Sequence, residues 1–182
     1  MRKLFFLLIA LGSYLIGLTQ ELEPTDTGSS VTFTIKNMGL TVEGALKGLK
    51  GSIIFDPNKL VLSTFDITID AGLIDTGIDL RNKHLKKESY FDVANFSKIR
   101  FTSVKIQASI RPEKFTIIGN LTIKKVTKQI KFDFVAHRQN TGYLFKGEFS
   151  IDRRDYNVGG NSFSMADDVS VFLVVASTLD KT

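Results

Sequence analysis

From Val31 to Val175 apolar side chains recur at every second position, one segment after another, with a single long interruption. A period of two is what a strand with one buried face requires, and an amphipathic helix cannot satisfy it. Val31, Phe33 and Ile35 alternate with Thr32, Thr34 and Lys36, and Phe65, Ile67 and Ile69 alternate with Asp66, Thr68 and Asp70. The rhythm returns in Ile99–Ser103, Phe115–Ile123, Ile130–Ala136 and Tyr143–Ile151. Turn formers separate the segments: Asp56-Pro57-Asn58, Arg111-Pro112-Glu113 and Asn140-Thr141-Gly142. Thr41–Leu49 and Gly51–Phe55 carry Gly44, Gly48 and Gly51, which permit bulges or close backbone approach. The last segment, Val169–Val175, is apolar on both faces, as for a strand covered outside by the helix, a loop or a partner subunit. Eight or so such antiparallel segments close as an up-and-down barrel or stack as a two-sheet sandwich. Long segments joined by short turns favour the barrel.

The interruption is Thr76–Phe101, where Leu80–Glu88 reads as a short helix with Asp79 as its N-cap. Tyr90, Phe91, Val93 and Phe96 follow as a dense aromatic cluster. A short helix with bulky apolar neighbours inside a β chain is expected to plug one end of a barrel.

Four groups of residues here resemble one known family. They are Arg81, Asn82, His84, Leu85 with Phe91-Asp92-Val93; Ile99, Phe101 and Ser103; Gly119, Leu121-Thr122-Ile123 and Val126-Thr127-Lys128; and Asp152-Arg153 through Tyr156. In this order they resemble the YceI-like proteins, and the resemblance spans about Ser30 to Ser177. It implies an all-β, eight-stranded antiparallel lipocalin-like barrel with a short helix capping one end, around an elongated apolar cavity. It also implies binding of a polyisoprenoid or related lipid in the periplasm, and a homodimer. Asn157, Lys125 and Leu46 stand where that pattern favours Gly, Gly and Phe. Asn tolerates the left-handed conformation, so the turn at position 157 is expected to survive.

Met1-Arg2-Lys3 followed by the apolar run Leu4–Leu18 reads as a secretory signal peptide, residues 1–19, with cleavage near Thr19 or Gln20. The run is shorter than the roughly 20 residues of a membrane-spanning helix. The expected organisation continues with a polar leader at 20–29, the barrel at 30–178 and a tail at 179–182. The formal charge of +5 falls to +3 once Arg2 and Lys3 are removed. Such a mild excess, scattered along outward strand positions, excludes the coherent basic face of a nucleic-acid binder. The lysines suit transient contact with an anionic membrane surface. There is no Cys, so the core forms without disulfides although an exported protein could use them.

No catalytic motif is found, neither nucleophile elbow nor phosphate loop nor HExxH. Two His and no Cys leave no transition-metal set, and no cofactor is expected. His84 is expected to pin the helix to the barrel rim by a hydrogen bond. Arg153 is expected in an Arg–carboxylate fork that locks the barrel end, with contact to a lipid head group as the sharper reading. Both are therefore polar rim candidates. The inward face reads as Phe33, Ile35, Phe65, Ile67, Phe101, Phe115, Ile117, Leu121, Phe132, Phe134, Tyr143, Phe145 and Phe149. These residues suit a carrier for a long-chain isoprenoid or fatty lipid, and equally a filled barrel acting as a structural or stress-response protein through protein contacts. Alternation gives the inward face but not the volume inside it.

Overall fold

The computed structural model describes residues 20–179. The segments read as signal peptide and the end of the tail lie outside them. Eight strands close into one antiparallel barrel in chain order, with β8 pairing back onto β1. The strands are β1 (Glu21–Asn37), β2 (Leu40–Ile54), β3 (Thr64–Asp75), β4 (Lys98–Ala108), β5 (Lys114–Ile123), β6 (Val126–Gln139), β7 (Gly142–Asp152) and β8 (Met165–Leu179). The helix α1 (Asp79–Leu85) connects β3 to β4.

β1 already runs through the stretch read as a polar leader. Leu22–Thr25 pairs with Leu179–Ala176 before a register shift, and pairing resumes at Ser30↔Val174. Leu22 is buried in the core, which is why this polar-looking segment is held in the wall. At α1 the sequence reading needs two corrections. The helix ends at Leu85, and Ile78 is its N-cap, without a side-chain bond. Asp79 lies in the first turn, where its carboxylate favours the positive end of the helix dipole.

An up-and-down barrel has two ends, and side-chain chemistry makes them different. At the end opposite α1, Phe55, at the close of β2, is ringed by Phe65, Phe115, Phe134, Tyr143 and Phe145, with centroids 5.1 to 6.1 Å away. All five contacts are edge-to-face, the arrangement that aromatic quadrupoles favour. The plug is therefore this aromatic cluster. No residue of α1 is buried, so the helix caps the other end without filling it.

One seam of the wall is closed by side chains rather than backbone. The β6–β7 ladder stops at Phe134↔Gly147, although β6 continues back to Val126 and β7 on to Asp152. One more step of that register would set Asp133 opposite Glu148, and like charges directly opposite oppose pairing. Asp133 turns instead to β5, accepting from Thr116 Oγ1 at 2.6 Å and pairing with Lys114 at 3.0 Å. The Phe132 and Phe149 rings meet across the seam, tilted by 32° with centroids 4.9 Å apart. Lys128 reaches Asp155 beyond them.

Phe55 is 5 % exposed at the centre of the plug. Phe55→Ala is expected to lower the unfolding free energy by about 3–5 kcal/mol. Urea denaturation measures this, and a loss below about 1 kcal/mol would show that the plug is not the centre of the core.

Candidate functional site

Above the plug the inward side chains enclose an apolar cavity of about 270 Å³. Roughly 10–15 Å³ suffices to hold one water, so the upper barrel is hollow rather than merely imperfectly packed. Phe65, Phe134 and Phe145 form its floor, sharing their rings with the plug. Its wall includes Phe33, Ile35, Ile67, Phe101, Ile117, Leu121, Phe132 and Phe149, all from the expected inward face. Phe115 and Tyr143 do not line it. They lie one layer lower, against Phe55 at 5.2 and 5.1 Å, and seal the base. β8 contributes Val169, Val171, Leu173 and Val175, while Phe172 points outward and is 42 % exposed.

A few polar side chains reach the cavity at the α1 end, among apolar neighbours such as Leu85, Tyr90 and Phe91. Arg81 lines the cavity, with Nε donating to Thr76 Oγ1 at 2.8 Å and Nη2 donating to the Thr76 carbonyl oxygen. Thr76 is fixed in turn by Asn82 Oδ1, which accepts from its backbone N–H at 2.8 Å and its hydroxyl at 2.7 Å. Among the described residues no carboxylate lies within ion-pair distance of Arg81. Asn37, on the last turn of wall before β2, lines the same cavity, and its Oδ1 is buried without a hydrogen-bond partner. Buried polar atoms are nearly always paired, so this carbonyl oxygen is an acceptor waiting for a donor.

The family model of the YceI-like domain matches residues 22–176. The chain belongs to the YceI-like family. A UPF0312 protein of Yersinia enterocolitica is 26% identical over 152 residues, covering 80% of this chain and 78% of that protein. The crystal structure of Burkholderia cenocepacia BcnA superposes with a TM-score of 0.76 at 27% identity, over 82% of this chain and 97% of that one. A polyisoprenoid-binding domain from Saccharophagus degradans, implicated in plant cell wall breakdown, superposes with a TM-score of 0.70 at 17% identity. That comparison covers 87% of this chain and 98% of the domain.

The two polar rim candidates of this YceI-like chain part company. His84 is exposed and absent from the cavity wall, its ring edge-on to Tyr90 at 4.9 Å. The hydrogen bond expected of it is replaced by that aromatic contact. Arg153 does line the cavity, but its donors are committed to the protein. Nε donates to the Ala166 carbonyl at 2.9 Å, Nη1 to those of Val158 and Gly160 at 3.0 and 2.9 Å, and Nη2 to Asp167 Oδ1 at 2.8 Å. At 3 % exposure it is a clamp tying the turn Arg153–Tyr156 to β8 and to the 158–160 segment. Asn157 takes the left-handed conformation, φ 55°, as the turn demands. Sequence reading missed Arg81 and Asn37 as mouth residues. Arg81 was legible as part of the motif that carries His84, but nothing in the order of residues says which of them faces inward.

Asp66 and Asp70 point outward to Arg100 and Lys98 across the β3–β4 ladder. The Arg100 hydrogen bond holds the Asp66 carboxyl below its usual pKa, and the Lys98 bond does the same for Asp70. Among the described residues no three His, Cys, Asp or Glu side chains gather as metal ligands.

Two outcomes follow from the turn beside the mouth. Arg153→Lys keeps the charge but cannot reproduce a four-bond fork, so it is expected to lower stability by about 2–4 kcal/mol in urea denaturation. An unchanged midpoint would remove the clamp role. Tyr156, 1 % exposed, has its phenol pKa pushed up to about 12 by burial and then by the charge of Asp155. Its contribution to stability is complete below the unfolded value near 10 and is lost as pH rises towards 12. An absorbance titration of the folded protein should show one tyrosine ionising last, and Tyr156→Phe should remove that step.

Proposed function

We propose that this protein is an exported carrier or store for a long apolar lipid of the polyisoprenoid type, held lengthwise in the upper barrel. The observation that carries the reading is the cavity itself, apolar along its wall, closed below by the aromatic plug and with a few polar side chains at its mouth. A chain-like ligand gains roughly 25 cal/mol per Å² of apolar surface buried, so a few hundred Å² is worth on the order of 5–10 kcal/mol without any polar contact. The ligand's head remains at the mouth, within reach of the Arg81 guanidinium and the unpaired Asn37 oxygen. The polyisoprenoid-binding domain from Saccharophagus degradans, which shares the fold, supports the same ligand class. Binding rather than catalysis is the role, since the carboxylates beside β3 are spent in outward ion pairs. A filled-barrel structural role fits the plug but leaves the hollow half without a purpose.

The basic start and apolar run of residues 1–19 support export to the periplasm or beyond. There the barrel would acquire its cargo at a membrane surface, as a monomer or as a dimer.

Native mass spectrometry of the exported protein, purified without detergent, is expected to show a stoichiometric adduct of several hundred daltons that extracts as an apolar chain. The same spectrum reads the oligomeric state. A bare mass, together with no uptake from added isoprenoid quinones or fatty amides, would reject the carrier reading.

A further inference from the structure

Three glycines on the inward face each receive a phenylalanine ring. Gly44 lies directly across the ladder from Phe33, and a Cβ there would stand 2.3 Å from Phe33 Cζ. Gly119 lies diagonally from Phe101, and its Cβ would stand 2.2 Å from Phe101 Cζ. Gly147, across the seam, would place its Cβ 3.3 Å from Phe132 Cε2. None of the three has a positive φ, so the backbone does not require glycine at these positions. At Gly44 the ring alone requires it, whereas at Gly119 and Gly147 a backbone carbonyl oxygen, of Thr102 at 2.8 Å and of Asp133 at 3.2 Å, crowds the same space.

All three rings line the cavity, on β1, β4 and β6, so together they set its width from three sides. We infer that these glycine–phenylalanine pairs, Gly44 with Phe33 foremost, determine specificity by holding the bore open to a methyl-branched chain rather than a straight one. The inference rests on the lipid-carrier reading and deepens it. Carbon atoms pack at about 3.5–4.0 Å, so a methyl at position 44 drives the Phe33 ring more than about 1 Å off the wall. β2 stands behind the ring, and the lumen is the direction left to it. That displacement consumes the space a branch methyl would occupy, whereas an unbranched chain passes a narrower bore.

Gly44 is the clean site for the test, because the three atoms nearest its added Cβ all belong to the Phe33 ring. At Gly119 the Thr102 carbonyl oxygen also lies 2.8 Å away, so substitution there strains the wall itself. The probes are a tetraprenyl alcohol and a straight-chain alcohol of equal carbon number, each titrated by native mass spectrometry. The wild-type protein is expected to prefer the prenyl alcohol. Gly44→Ala should weaken prenyl binding about 10–200-fold, the range for one misplaced methyl group in an apolar pocket, with a much smaller change for the straight chain. Gly44→Ala with Phe33→Leu should restore the prenyl preference, since the displaced ring is gone. Equal losses for both alcohols, or no rescue by the double variant, would overturn the proposal while leaving the carrier reading intact. A wild-type protein that takes up neither alcohol sinks both. Should Gly44→Ala fail to fold, Gly147→Ala, whose added Cβ meets the Asp133 carbonyl oxygen at 3.2 Å as well as the Phe132 ring at 3.3 Å, is read from the ratio of the two alcohols' losses, with a smaller expected shift of the same sign.

Discussion

Closure of β8 onto β1 is the contact on which everything else depends, because it gives the sheet an inside. The pairing is not a continuous ladder. β1 bulges between Thr25 and Ser30, and there side chains take over from the backbone. Ser29 Oγ accepts from the Ala176 amide at 2.8 Å and donates to the Thr25 carbonyl. On the other side of the same bulge, the Asp26 carboxylate accepts from the Gly48 and Leu49 amides at 2.8 to 3.1 Å. One short polar segment thus serves both neighbours of β1, satisfying amides that a straight strand would have paired. Bulges of this kind bend a strand and let a sheet curl until its edges meet.

Once the barrel is closed, the alternation of each strand divides its residues between lumen and solvent, and side-chain size alone decides what is filled. The lower half concentrates rings at Phe55, Phe115, Phe134, Tyr143 and Phe145 and becomes a solid core. The upper half meets its own large residues with glycines at Gly44, Gly119 and Gly147, and stays hollow. The same residue type, phenylalanine, therefore does opposite things at the two ends. Edge-to-face packing around Phe55 fills the base, whereas higher up the ring tips of Phe33 and Phe101 lie against glycines of the neighbouring strands.

The strands, their order and part of the cavity wall were legible in the sequence, because period two is a local signal; the β8 side of the wall, Val169 to Val175, was not. Phe115 and Tyr143 were misplaced for a reason that alternation cannot see: facing inward is common to plug and cavity, and height along the barrel axis follows from register. The polar leader was misread because Leu22 and Pro24 are too few to declare a strand, and β8 supplies the missing partner. The double apolarity of β8 left its inward face open until the pairing of Val171 with Phe33 and Phe149 decided it. His84 is named as a rim candidate and Arg81 only as part of the motif, yet this short, exposed helix turns its imidazole to solvent and brings its guanidinium to the mouth.

A hollow barrel has a stability problem that the two unequal halves resolve. An apolar volume of about 270 Å³ that the protein's own side chains do not fill, at roughly 24 cal/mol per Å³, corresponds to on the order of 6 kcal/mol of packing that a bound chain can supply. That is comparable with the whole stability of a small domain. Folding must therefore rest on elements that need no ligand: the aromatic plug, the β1 bulge with its Ser29 and Asp26 bonds, and the Arg153 clamp beside the mouth. Each lies outside the hollow volume or at its edge. An apolar chain entering the bore then supplies the packing that the wall lacks, so occupancy and stability rise together. The wall is weakest at the β6–β7 seam, where a tilted aromatic pair stands in for backbone bonds and Lys128 ties β6 to Asp155 in the turn after β7, and occupancy should tighten it most there, since Phe132 and Phe149 are themselves cavity wall.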